Sequence, residues 1–203
     1  MRKLILRMNC SLDGFVCGPK GENEWIFPDY DDDVSAWAAD ALWRAGAHLM
    51  GSVTYREMAS HWPTSTEVFA PPMNKIPKVV FSKTLKEAGW PETRIASGDL
   101  VKEIARLKAE PGGELVAHGG VRFAQSLIQH GLVDEYRLFT HPVALGSGKS
   151  PFSNLVQPLR LKTVNRVVFG TGLVLLTLQN AGSHDAGKSS PTARPVPDGG
   201  AGS

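Results

Sequence analysis

Cysteine is scarce: Cys10 and Cys17 are the only two in 203 residues. Neither belongs to a Cys-x-x-Cys pair or lies beside histidines at zinc spacing, so no disulfide framework and no metal site is expected, and each reads as a free, half-buried thiol. Charge of one sign is also lacking. A formal net charge of +2 gives no electrostatic case for nucleic acid or an anionic membrane surface. No apolar run approaches the roughly 20 residues a membrane span needs, and Met1 leads into a strand-like segment rather than a signal sequence, so a cytoplasmic protein is expected. With 42% apolar residues the chain can bury one good core. A single domain over residues 1–180 follows, and from Ala181 to Ser203 the composition shifts to Gly, Ser, Ala, Pro and Asp, which predicts a disordered tail.

The stretch from Glu114 to Phe152 organises the rest. Leu115–Ala117 is a short apolar strand, Gly119-Gly120 a turn without side chains, and Val121–Gln129 a helix with apolar positions at 121, 124, 127 and 128, stopped by Gly131. A strand ending in glycines that opens directly into a helix offers free backbone N–H groups and a positive dipole end, which suits phosphate. A plain tight connection is the other reading. After Gly120 come Val121, Arg122 and Phe123, so the third glycine of a Rossmann fingerprint is missing, as is the Gly-Lys-Ser/Thr of a P-loop.

Similar junctions recur. Residues 2–10 alternate Leu4, Leu6, Met8 and Cys10 with Lys3, Ile5, Arg7 and Asn9, a strand buried on both faces to some degree, followed by Ser11-Leu12-Asp13-Gly14 and a second strand at Phe15–Cys17. Asp13, read as an acid within an apolar strand, is either a hydrogen-bonding residue of the fold or a proton handler. Trp25-Ile26-Phe27-Pro28 is an apolar loop. The acids at 29 and 31–33 precede a helix that Gly46 ends; they offset its dipole or, less simply, bind metal. His48–Met50 is a strand reaching Gly51-Ser52 and a helix with Thr54 in its first turn. Lys78–Phe81 is a strand ending in Ser82-Lys83-Thr84, suited to the extra phosphate of NADP or to a solvated strand end. Arg94–Ala96, a helix capped by Asp99, Asp134–Phe139, a glycine-rich loop at 141–152 and a closing hairpin over 159–178 complete the chain. The units place their glycine or polar turns along one edge of a mostly parallel sheet, where open α/β sheets bind ligands.

Four motifs carry a resemblance: Ser11-Leu12-Asp13-Gly14; Gly21-Glu22-Asn23-Glu24-Trp25-Ile26; Met50-Gly51-Ser52-Val53-Thr54-Tyr55; and Gly119-Gly120 through Leu132-Val133-Asp134-Glu135 to Pro142-Val143 and Leu145-Gly146. In this order they resemble the dihydrofolate-reductase-like family, and within it the reductase domain of the riboflavin-biosynthesis deaminase/reductase. The resemblance implies a three-layer α/β/α fold with a mostly parallel mixed sheet and a C-terminal antiparallel hairpin. It also implies an NADPH-dependent oxidoreductase acting on a pyrimidine or pteridine-like ring, of the 5-amino-6-(5-phosphoribosylamino)uracil reductase type. By the same resemblance Gly51, Ser52, Thr54, Gly119, Gly120, Val121, Arg122 and Phe123 hold the cofactor, with Ser82 and Lys83 near its 2′-phosphate. Asn9, Ser11 and Trp25 face the substrate, Asp13 orients or protonates it, and Leu145–Phe152 closes over the cofactor. A homodimer is plausible for such a sheet. The chain departs from the pattern at His61–Thr66, where basic residues would meet a substrate phosphate, and at Tyr30, where folate reductases carry an acid that only Asp29 or Asp31 could replace. The deaminase half is absent. Dihydrofolate reduction, or a dinucleotide-binding protein without catalysis, are the alternative readings.

Overall fold

Residues 1–182 are described by the computed structural model; the greater part of the expected tail, 183–203, lies outside the described residues. Six strands run parallel: β1 (Leu4–Cys10), β2 (Ala45–Gly51), β3 (Lys78–Phe81), β4 (Thr93–Ala96), β5 (Glu114–His118) and β6 (Glu135–Thr140). β8 (Val174–Asn180) pairs antiparallel with β6, and β7 (Leu161–Val168) with β8, giving the order β4-β3-β2-β5-β1-β6-β8-β7. This is the expected mixed sheet with its closing hairpin.

The alternation in β1 explains the layering. Leu4, Leu6 and Met8 face α4 (Leu100–Ala109) and α5 (Val121–Gln129), packing on Ile104, Leu107, Ala124 and Leu127. The opposite face carries α1 (Asp32–Trp43), α2 (Ser52–His61) and α3 (Ala70–Lys75), whose Leu42, Tyr55 and Met73 pack with Met50 and Val80. Ile5 on that face meets Ile76 and Val116, and Arg7 and Asn9 follow it.

Several boundaries differ from the sequence reading. Gly46 does not end the helix: α1 stops at Trp43, and Gly46 lies inside β2 at a register shift. A Cβ there would lie 2.7 Å from the Gly113 backbone nitrogen, so the glycine serves a close approach of chains. Phe15–Cys17 contributes only one isolated bridge, Cys17 to Lys149, rather than a strand. The apolar segment at Trp25 is a 3-10 turn, Glu24–Asp29. α3, absent from the sequence reading, begins with prolines at its first positions, where a missing N–H costs nothing. Asp31 accepts from the Val34 N–H as an N-cap, which accounts for one member of the acidic cluster.

Lys78 is an uncommon core residue, 1% exposed. Its ammonium donates to the carbonyls of Met73, Asn74 and Ile76 at 2.9–3.0 Å and lies over the Trp90 ring. Desolvation lowers its pKa to about 8, so the proton is retained at neutral pH. Lys78→Met keeps the stem and orphans those carbonyls. The expected loss is about 3 kcal/mol, seen as a lower urea midpoint with an unchanged m-value.

Candidate active site

Because β2 and β5 are parallel neighbours, their C-terminal ends open at one edge of the sheet. The turns that follow touch. A Cβ on Gly51 would lie 3.3 Å from Phe123 Cβ, and one on Gly120 2.9 Å from Thr54 Oγ1. Gly119 and Gly120 have φ of +40° and +77°, a region that side chains disfavour.

The caps of the longer helices divide by location. α1 and α4 begin at Asp31 and Asp99, whose carboxylates accept from their own first-turn N–H groups. α2 and α5 begin at Gly51 and Gly120 with no side-chain cap. The glycine-capped pair opens into the large cleft with its first-turn amides and two positive dipole ends available to an anion, whereas the α4 end that also reaches the cleft at Leu100 is capped by Asp99.

That cleft has a volume of about 1180 Å³ and is lined by Gly51, Ser52, Thr54, Ser82, Lys83, Gly119, Gly120, Val121, Arg122 and Phe123, together with Asn9. All the residues assigned to the cofactor by resemblance therefore share one cavity. Its charged lining comprises Arg7, Lys20, Lys83, Arg122 and Lys149 against a single carboxylate, Glu57. Phe81 and Phe123 stack at 5.0 Å and give the wall between β3 and α5 a flat apolar surface. Ser82 is largely committed: its Oγ accepts from the Thr84 and Leu85 amides and shapes the turn that presents Lys83.

The floor is polar. Arg7 donates to Tyr30 Oη at 3.3 Å and lies 4.6 Å from the Phe139 ring centroid, and among the described residues it has no ion-pair partner. Its neighbour Arg137 is held by Glu114 and Glu135. Asn9 Oδ1 accepts from Tyr30 Oη at 3.0 Å and lies 3.1 Å from His141 Nε2, while His141 Nδ1 is 2.7 Å from Asp29 Oδ2. Burial pushes the His141 pKa down against the opposing pull of Asp29. His118, at the end of β5, also lines the cleft.

Ser11, Asp13 and Trp25 are placed differently from the sequence reading. Ser11 is buried and donates to Asp13 Oδ1 at 2.6 Å. Asp13 lies in the turn after β1, not within a strand, and accepts from the Leu145 and Gly146 amides at 2.7–3.1 Å. Trp25 packs edge-on to His141, with a buried Nε1 that has no partner. None of these residues lines the cleft, although Asn23 and Ile26 do. In this arrangement Asp13 anchors the 145–146 loop.

The Ser11 hydroxyl and the loop amides hold the Asp13 carboxyl below its usual range. The tether is therefore intact above the ordinary carboxylate range and loosens only as pH falls through the depressed value. Asp13→Ala is expected to speed amide exchange at Leu145 and Gly146 roughly tenfold at neutral pH, measured by hydrogen–deuterium exchange.

Arg7 and His118 were not singled out from the sequence, though signals were present. Arg7 is a cation on a strand read as buried on both faces to some degree, and His118 directly precedes the paired glycines. Among the described residues no helix is long and apolar enough to cross a membrane.

The sheet order and its antiparallel closing hairpin, with a basic cleft at the parallel edge, define a dihydrofolate-reductase-like fold. The chain belongs to the RibD C-terminal domain family, which it matches over residues 2–175. It is 32% identical to the uncharacterized protein YyaP of Bacillus subtilis (strain 168), over 85% of this chain and 92% of that one. Among solved structures, a Shewanella sp. PV-4 protein named for riboflavin biosynthesis has a TM-score of 0.74 at 24% identity, covering 88% and 99% of the two chains. Dihydrofolate reductase from Enterococcus faecalis, complexed with NADP(H), has a TM-score of 0.59 at 15% identity over 88% and 96%.

Proposed function

We propose that this chain is an NADPH-dependent reductase of the riboflavin-biosynthesis type, with 5-amino-6-(5-phosphoribosylamino)uracil as the leading substrate. The observation that carries the reading is the contact between two glycine-capped helix ends inside a basic cleft. Such paired donors suit a dinucleotide diphosphate, and the family supplies the reaction class. The cofactor supplies hydride chemistry, and the protein contributes position and electrostatics.

Residues 52–54 and 121–123 would hold the diphosphate through backbone amides, while Lys83 and Arg122 are the cations available for a 2′-phosphate. Asn9 and Arg7, on the floor, would orient the substrate. His61, the last residue of α2, is hydrogen-bonded to Glu67 at 2.8 Å, which leaves Lys20 and Lys149 as the lining cations for a substrate phosphate. Asp29 is committed to His141 and does not line the cleft, which weakens the dihydrofolate reading.

Purified protein should oxidise NADPH in the presence of the phosphoribosylaminouracil and leave it unchanged with 7,8-dihydrofolate, followed by loss of reduced-nicotinamide absorbance. Turnover of dihydrofolate alone would overturn the assignment. Cofactor binding with no turnover of either would reduce it to dinucleotide binding.

A further inference from the structure

His141, the residue after β6, is wholly buried between two groups that both accept hydrogen bonds. Its Nδ1 lies 2.7 Å from Asp29 Oδ2 on the 3-10 turn, and a carboxylate can only accept, so Nδ1 carries a proton. Its Nε2 lies 3.1 Å from Asn9 Oδ1 on β1. That amide oxygen also accepts from Tyr30 Oη, which in turn accepts from the Arg7 guanidinium. With Oδ1 turned inward, Nε2 must therefore carry a second proton, which makes His141 an imidazolium paired with Asp29.

A neutral His141 protonated at Nδ1 has a bare lone pair at Nε2, and this would face the lone pairs of Oδ1. Asn9 relieves the conflict by turning its amide over. The two ends have nearly the same shape, and the amino group can donate both to Nε2 and to Tyr30 Oη. The outer end of the amide has no protein partner among the described residues and is not shut away from solvent, and Asn9 lines the cleft. One proton on His141 thus decides whether the cleft meets an N–H or a C=O at this point.

We propose that His141 is a positioning residue whose protonation selects the polarity of Asn9 toward the cleft. Charged, it presents the Asn9 amino group, which suits a ligand carbonyl; neutral, it presents the Asn9 carbonyl, which suits a ligand amino group or ring N–H. The selector does not depend on the reductase reading, since it concerns the group Asn9 offers to any ligand. Asp29, on the 3-10 turn, is the charged group that acts on His141 directly, with Arg7 of β1 one step removed through Tyr30, and the Trp25 and Tyr30 rings pack against it. Burial outweighs Asp29 and lowers the His141 pKa below 6.5, so the carbonyl faces the cleft at neutral pH and the amino group replaces it as pH falls through the lowered value. The seating seen in the structure belongs to the acid side of that value. By linkage, a ligand carbonyl held by Asn9 tightens the hold of His141 on its proton.

The test uses ligand-free full-length protein labelled with 15N in histidine and asparagine, taken from about pH 8 to about pH 4.5. His141 Nε2 should pass from bare to protonated below pH 6.5 in long-range proton–nitrogen correlation spectra. Over the same range the Overhauser contacts from the Asn9 amino protons to the Tyr30 ring should be lost, with a shared midpoint. Asp29→Asn should move both midpoints down together by about one unit or more. His141→Phe, which keeps a ring against Trp25 and Tyr30, should leave the Asn9 contacts independent of pH. A His141 that only fills space predicts neither result. Asn9 contacts that stay fixed while His141 titrates, midpoints that differ, or an Nε2 that does not change before the protein unfolds would overturn the selector.

Discussion

Replacing Gly120 with alanine should weaken NADPH binding by about 100-fold and leave the sheet folded. Gly120 has φ of +77°, and a Cβ there would lie 2.9 Å from Thr54 Oγ1. Thr54 is buried on α2, so it cannot swing away without moving that helix end. The substitution therefore spreads the two amide clusters that must meet one diphosphate. Left-handed backbone costs an alanine about 1–2 kcal/mol, and a charge-assisted hydrogen bond lost at the phosphate costs about 1.5–3 kcal/mol. Gly119→Ala is the control. Its φ is +40°, but nothing lies within 4 Å of the added atom, so a smaller loss of under about tenfold is expected. Calorimetry gives the affinities and thermal unfolding checks the fold. Equal losses at the two positions would mean that the approach to Thr54 is irrelevant to binding.

Acid should destabilise the protein through its buried imidazoles. His48 is pushed down to about 4 from an ordinary 6.5, chiefly by desolvation, with Lys78 and Arg7 adding charge repulsion. Above pH 6.5 the imidazole is neutral in folded and unfolded chains alike. Between 6.5 and 4 the unfolded chain binds a proton that the folded one refuses, so stability falls as pH falls through that window. A displacement of this size corresponds to about 3 kcal/mol at pH 4, and His118 is displaced in the same direction. Urea denaturation of wild type and His48→Gln at successive pH values measures it. The variant should show a flatter profile over this range. Parallel profiles would mean that the carboxylates alone set the acid limit.

Much of this arrangement is legible in the sequence where local pattern and tertiary environment agree. Val121–Gln129 reads as a helix because its apolar face is the one that packs on β1 and β5, and Gly131, with φ of +62°, ends it. The closing hairpin is equally clear from its apolar strands and glycine turn. Gly46 misleads because its role is to let the Gly113 backbone approach, a contact between segments far apart in sequence. Asp13 reads as a candidate proton handler because composition does not show that the amides of Leu145 and Gly146 take its carboxylate. Arg7 and His118 escape notice for a related reason. Each is unremarkable alone, and only the β1–β5 register sets them side by side.

The most direct measurement is a crystal structure of the protein grown with NADPH. The diphosphate should lie between the turns at Gly51 and Gly119-Gly120, within hydrogen-bonding distance of the amides of residues 52–54 and 121–123, with the nicotinamide directed toward Asn9 and Arg7. A cofactor bound elsewhere, or held in this cleft with its diphosphate away from both helix ends, would contradict the account.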